Sequence, residues 1–219
     1  GQTQNPLSSW NKIGEALRQE YDVRNQDLST GWVPANVDVL VVVAPQDMTD
    51  KERFAIDQYL MRGGSVVVAA GNYGIEIDQV GGGLALKPLE ANLREMLSSY
   101  GINVERSLVM DPQNEPFPVQ VTRKAGGIQI REIQAIEYPF FVDVRSDGMN
   151  TESPIVFNIP AVTLNWVSPI TIDESKIEEQ RVTTLLQSSA DSWTQTDTAI
   201  QPDFDTYPGI GFPTGGEKK

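Results

Sequence analysis

Apolar positions change their spacing along this chain, and the changes mark its organisation. Trp10, Ile13 and Leu17 recur at helical intervals behind Ser9, a residue type that caps helices. Tyr21–Arg24 then leads into a short strand. Asp38–Pro45 is a continuous β-branched run, the pattern of a strand buried on both faces of a parallel sheet. Thr49-Asp50-Lys51-Glu52 is a capping box, in which Glu52 reaches back to the Thr49 backbone. The helix it opens runs to about Arg62, buries Ile56, Tyr59 and Leu60, and stops at Gly63-Gly64. Ser65–Ala70 is a second apolar strand, so strand, helix and strand form a right-handed βαβ unit.

A glycine-rich stretch runs from Gly71 to Lys87 and includes Gly81-Gly82-Gly83. Leu89, Leu93, Met96, Leu97 and Tyr100 return to helical spacing, closed by Gly101. Val104–Met110 reads as a strand ending at Asp111-Pro112. From there the period becomes two. Val119 and Val121, then Ile128 and Ile130, flank Ala125-Gly126-Gly127 as a hairpin would. Glu137–Val144, Ile155–Ile159, Val162–Val167 and Val182–Leu186 continue as β-like segments, with a short helix near Asp173–Gln180. Residues after Thr194 are rich in Asp, Thr, Pro and Gly and read as an irregular or mobile tail. The expected division is an α/β core over 1–115, a β-rich extension over 116–193 and a tail over 194–219.

Composition narrows the chemistry. The chain has no cysteine and no histidine among its 219 residues. That excludes a thiol nucleophile, a disulfide framework, a Cys/His zinc site and any imidazole base. The charge of −13 opposes binding to phosphate backbones, so no nucleic-acid partner is expected. No apolar run approaches the ~18 residues of a membrane helix. The polar Gly1-Gln2-Thr3-Gln4 start carries no leader pattern, and both ends read as the edges of a trimmed piece.

Asp38–Pro45 followed by Ala55-Ile56-Asp57-Gln58-Tyr59-Leu60-Met61-Arg62-Gly63-Gly64 resembles a signature of the auxiliary component of ABC-type transport systems linked to gliding motility. Tyr100-Gly101 with Val109-Met110-Asp111, Leu164-Asn165-Trp166, and Leu185–Ser189 with Trp193 also look like positions of that family. The resemblance covers roughly Trp10 to Trp193. It implies a flavodoxin-like open sheet of the class I glutamine-amidotransferase-like group, with a β-rich C-terminal extension. It also implies an extracytoplasmic domain on the periplasmic face, tethered to the inner membrane in the full-length protein. The implied partners are ABC permease and ATPase subunits or another protein of the membrane complex. The chain departs from the family after Ser65–Ala70, where Gly71-Asn72-Tyr73 replaces the usual Asp-Pro.

On an amidotransferase-like scaffold the nucleophile belongs on the Gly71–Gly74 turn, which holds no Cys, Ser or Thr. Gly71-x-x-Gly74 and Gly81–Gly83 lack phosphate-loop spacing and are better explained as loop flexibility. The remaining chemical groups are acids at strand ends, Asp47, Glu76, Asp78 and Asp111, where open α/β sheets bind ligands. Most of the 30 acidic residues must be solvated loop acids, and Asp203 and Asp205 are read the same way. Trp10, Trp166 and Trp193 read as core or interface anchors. Asp57 either pairs with Lys51, Arg53 or Arg62 or ties down a neighbouring loop.

The resulting expectation is a non-enzymatic accessory domain without cofactor or metal, binding a partner protein or a ligand. Its contact surface would be Gln46, Asp47, Asn72, Tyr73 and Asp111. The alternatives are a carboxylate-based, metal-assisted hydrolase using Asp47, Asp78 or Asp111, and a purely structural module.

Overall fold

The computed structural model describes residues 10–77, 83–89, 93–177, 182–215 and 217–218. Helices α1 (Asn11–Leu17), α2 (Asp50–Met61) and α3 (Arg94–Ser99) accompany a larger number of short strands. These are β1 (Val39–Val43), β2 (Ser65–Ala69), β3 (Tyr73–Ile77), β4 (Leu84–Pro88), β5 (Ile102–Val104) and β6 (Leu108–Met110). They continue with β7 (Phe117–Ala125), β8 (Ile128–Ile136), β9 (Phe141–Val144), β10 (Val162–Asn165), β11 (Ile170–Ile172), β12 (Trp193–Gln195) and β13 (Glu217–Lys218). The chain is thus mixed α/β. It forms two compact units, one from Gly1–Glu76, Lys87–Val104 and Ile170–Glu178, the other from Ile77–Leu86, Glu105–Pro169 and Glu179–Lys219.

In the first unit, β1 and β2 pair in parallel, Val39 opposite Ser65 through Val43 opposite Ala69. Helix α2 crosses between them and packs Ala55, Ile56 and Tyr59 with Leu40, Val42, Val33 and Leu93. Its capping box is formed: the Glu52 N–H donates to Thr49 Oγ1 at 3.3 Å, and the Thr49 N–H to Glu52 Oε2 at 2.8 Å. At its other end Gly63, at φ +85°, donates to the Leu60 carbonyl, and the Gly64 N–H to the Tyr59 carbonyl. That is the Schellman arrangement. Gly64 is required for a second reason, because a Cβ there would enter the Tyr59 ring. Tyr59 OH reaches the Val37 carbonyl at 2.8 Å, and Arg62 donates to the Val33 carbonyl while stacking on Trp32 at 3.7 Å.

The parallel strands differ from the expectation of burial on both faces. Val39, Val41 and Val67 are 49%, 45% and 53% exposed, since α2 covers only the side that carries Leu40 and Val42. Among the described residues this parallel sheet has two strands. Tyr21–Arg24 forms no strand, and Trp10, which precedes α1, and Ile13 within it are exposed; Ser9 lies outside the described residues. The Val104–Met110 run divides into β5, which pairs with β11, and β6, which pairs with β12. Strands β3 and β4 pair with each other, and the division between units falls within both.

In the second unit, the expected hairpin is β7–β8, nine residues in each strand, from Phe117 opposite Ile136 to Ala125 opposite Ile128. Gly126 and Gly127 turn it at φ +59° and +83°, the left-handed pair of a type I′ turn. Strands β9 and β10 pair antiparallel, and their Val142, Val144, Val162 and Leu164 pack with Val109, Met149 and Val156. Ile155–Ile159 is a run of turns, because Pro154 and Pro160 bracket it without amide donors and the Val156 and Phe157 N–H groups bond back to Ser153. An aromatic cluster of Phe117, Tyr138, Phe140, Phe141, Trp166 and Phe212 closes the unit, with centroids 4.7–6.3 Å apart. Residues after Gln195 have little regular structure, yet Ile200 and Phe212 are buried and the Ile200 carbonyl accepts from Tyr138 OH at 2.8 Å.

Candidate functional site

The carboxyl ends of β1 and β2 lie at one edge of the first unit because the strands are parallel and in register. The loop leaving β1 is pinned at both ends. Ala44 N–H donates to the Ala69 carbonyl at 2.7 Å, Pro45 and Met48 are buried, and the Met48 carbonyl accepts from Arg53 Nη1 at 2.7 Å. Between the pins, Gln46 and Asp47 are exposed. Ala44 and Asp47 both adopt left-handed φ, +44° and +51°. For an alanine this conformation costs about 1–2 kcal/mol; an aspartate tolerates it better. Two such residues within four positions fix how the Gln46 amide and Asp47 carboxylate are presented.

The loop leaving β2 brings Asn72 and Tyr73 to the same edge. Asn72 is buried: its side-chain amide donates to the Val104 carbonyl at the end of β5 at 3.3 Å, and its backbone carbonyl accepts from Leu89 N–H at 2.8 Å. Tyr73 is half-buried at the start of β3. Asn72 therefore gathers the ends of β2 and β5, leaving Gln46 and Asp47 as the outward polar groups. Gly71 has a negative φ, and a Cβ on it would meet open space.

Asp111 belongs to the other unit and has a different job. It is 1% exposed. Oδ1 accepts from Gln113 N–H at 2.8 Å and Ser189 Oγ at 2.7 Å, and Oδ2 accepts from Ser189 N–H at 2.7 Å. This carboxylate staples the end of β6 to a loop 78 residues later in the chain. Of the other acids, Glu76 lies exposed within β3, and Asp78 lies outside the described residues, as do Gly81 and Gly82. Asp57 ties down a loop: its carboxylate accepts from Tyr100 OH. With burial and that carboxylate, Tyr100 is pushed up to about 12, burial contributing most. Asp203 accepts from the Asp205 and Thr206 N–H groups, and the contact with Thr206 holds its carboxyl below the usual range. Among the described residues no group of three or more His, Cys, Asp or Glu is placed to hold a metal ion.

A feature the sequence pattern did not single out is a cleft of about 480 Å³ in the second unit, between Trp193–Asp197 and Asp203–Pro213. Two atoms in its wall, Trp193 Nε1 and Gln195 Oε1, are buried without a hydrogen-bond partner. Its trace in the sequence is Tyr207 and Phe212, aromatic residues in a stretch otherwise poor in apolar residues.

At this edge the β1 exit loop is left-handed at Ala44 and Asp47 and pinned at both ends, beside the inward-tied Asn72. Comparison with known families gives the wider class. The chain belongs to the family described as an "ABC-type uncharacterized transport system", an auxiliary-component family whose model matches residues 1–211. No curated protein and no solved structure matches the chain. Among the described residues no helix is long and apolar enough to cross a membrane.

Proposed function

We propose that this chain is a non-enzymatic accessory domain of an ABC-type transport system, akin to the auxiliary components linked to gliding motility. It acts on the extracytoplasmic side by binding a protein of its complex. The observation that carries this reading is the β1 exit loop, where left-handed Ala44 and Asp47 hold Gln46 and Asp47 outward while the neighbouring Asn72 is tied inward. Strained, pinned loops are retained where a geometry must be preset, and recognition by a partner needs that. The parallel β1–α2–β2 unit supports a flavodoxin-like ancestry, and the family membership supports the transport context. A non-catalytic role is supported by how the carboxylates are used: Asp111, Asp57 and Asp203 each hold backbone or hydroxyl groups in place.

The test is a photo-crosslinking residue at Gln46 in the intact protein within its native membranes. Crosslinks to the permease or ATPase subunits are expected, and they should be lost when Asp47 is changed to Arg. Recovery of no transport subunit would sink this reading.

A further inference from the structure

The β7–β8 hairpin carries apolar surface where a water-facing ribbon should carry none. Every residue from Ile128 to Ala135 is exposed, and Ile128, Ile130 and Ile133 are 69%, 48% and 79% exposed. The base of the hairpin is covered, with Val119 and Val121 buried and Phe204, Gly209 and Ile210 lining a shared hollow with Val121, Thr122 and Gln134. Beyond Thr122 the ribbon continues for three further residues before its turn, about 10 Å at strand rise. Ile128 and Ile130 lie on one face of this free end, and Ile133, opposite Gln120 nearer the base, lies on the other face of the ribbon.

Charge is reversed over the same stretch. The hairpin, residues 117–136, holds Arg123, Lys124 and Arg131 against the single acid Glu132, in a chain of net charge −13. Backbone register sets Arg123 opposite Ile130, Lys124 opposite Gln129 and Arg131 opposite Thr122, so cations and isoleucines share the hairpin end. The end extends about one Debye length past its cover at 0.1 M salt, which screens it from much of the acidic remainder.

From this juxtaposition of exposed isoleucines and an excess of cations we propose that the end of the β7–β8 hairpin docks on an anionic lipid bilayer surface. Basic residues draw it to the headgroups, and the isoleucine side chains enter the acyl boundary. A protein groove could take the isoleucines, but the local excess of cations in an acidic chain favours a surface of dense negative charge. The proposal stands on the hairpin alone, so its failure leaves the strand-end reading untouched.

The test is co-sedimentation of the 219-residue chain with vesicles. Phosphatidylcholine vesicles carrying roughly one-third phosphatidylglycerol should capture it, and pure phosphatidylcholine should not. Capture should weaken about tenfold or more at high salt, and by a similar factor in Arg131→Glu and in the Ile128→Ser/Ile130→Ser double variant. The lipid and salt comparisons use the unaltered chain and so do not depend on any variant folding. Equal capture by both vesicle types, capture by neither, or undiminished capture of both variants would overturn the proposal. So would crosslinks from position 128 to a protein without any vesicle capture.

Discussion

Asp111 and Asp57 show how acidic side chains that look available for chemistry are consumed by architecture. Asp111 satisfies Gln113 and Ser189 with three hydrogen bonds while 1% exposed. Asp111→Ala should lower the stability measured by urea unfolding by about 3 kcal/mol or more, since buried N–H donors lose a charged acceptor. Asp111→Asn should recover little, because its NH₂ group cannot accept from Ser189 N–H. Asp57→Asn should bring the Tyr100 phenol down from about 12 towards its ordinary range, followed by phenolate absorbance. The raised value favours the protonated phenol in the folded state. Its stabilising contribution is therefore full below pH ~10 and is lost as pH rises through about 12.

Helix α2 and the β7–β8 hairpin were legible in the sequence because their signals are local. The Thr49–Glu52 box, the Gly63-Gly64 stop and the Gly126-Gly127 turn each specify hydrogen bonds within a few residues, and each is formed. Thr49→Ala should cost about 1 kcal/mol in thermal or urea unfolding. Gly64→Ala should cost ~1–3 kcal/mol as its methyl displaces the Tyr59 ring. Features decided by distant partners were not legible. The β-branched run of β1 is the same whether a second layer covers Val39 and Val41 or not, and only the folded chain shows those residues exposed. The division of Val104–Met110 depends on β11 and β12, more than sixty residues downstream. Gln46 and Asp47 could be placed at a strand end from the sequence, but the left-handed backbone at Ala44 has no residue signature, since alanine disfavours it. The burial of Asn72 and Asp111 rests on partners at Val104 and Ser189 that no short motif encodes.

With no histidine and no cysteine, the side chains offer nothing that ordinarily titrates between carboxylates and phenols. The unfolding midpoint should accordingly be nearly flat from about pH 6 to 9. On the acid side Asp27, Asp173 and Asp203 have lowered values, from contacts with Ser29, Ser175 and Thr206 respectively. Their contributions are present above the ordinary carboxylate range and are lost as pH falls through the lowered values. On the alkaline side burial pushes Tyr138 upward, so it adds to the loss that begins with Tyr100. A thermal-unfolding series across pH reads both limbs.

The interleaving of the two units also has a consequence for synthesis. Most of the first unit is encoded by Val104, but β5 finds its partner β11 only at Ile170–Ile172. A chain emerging from the ribosome must therefore hold an unfinished first unit while the body of the second is translated. Halting it anywhere between Val104 and Ile170 should leave a nascent chain with an unpaired strand, a natural client for chaperones.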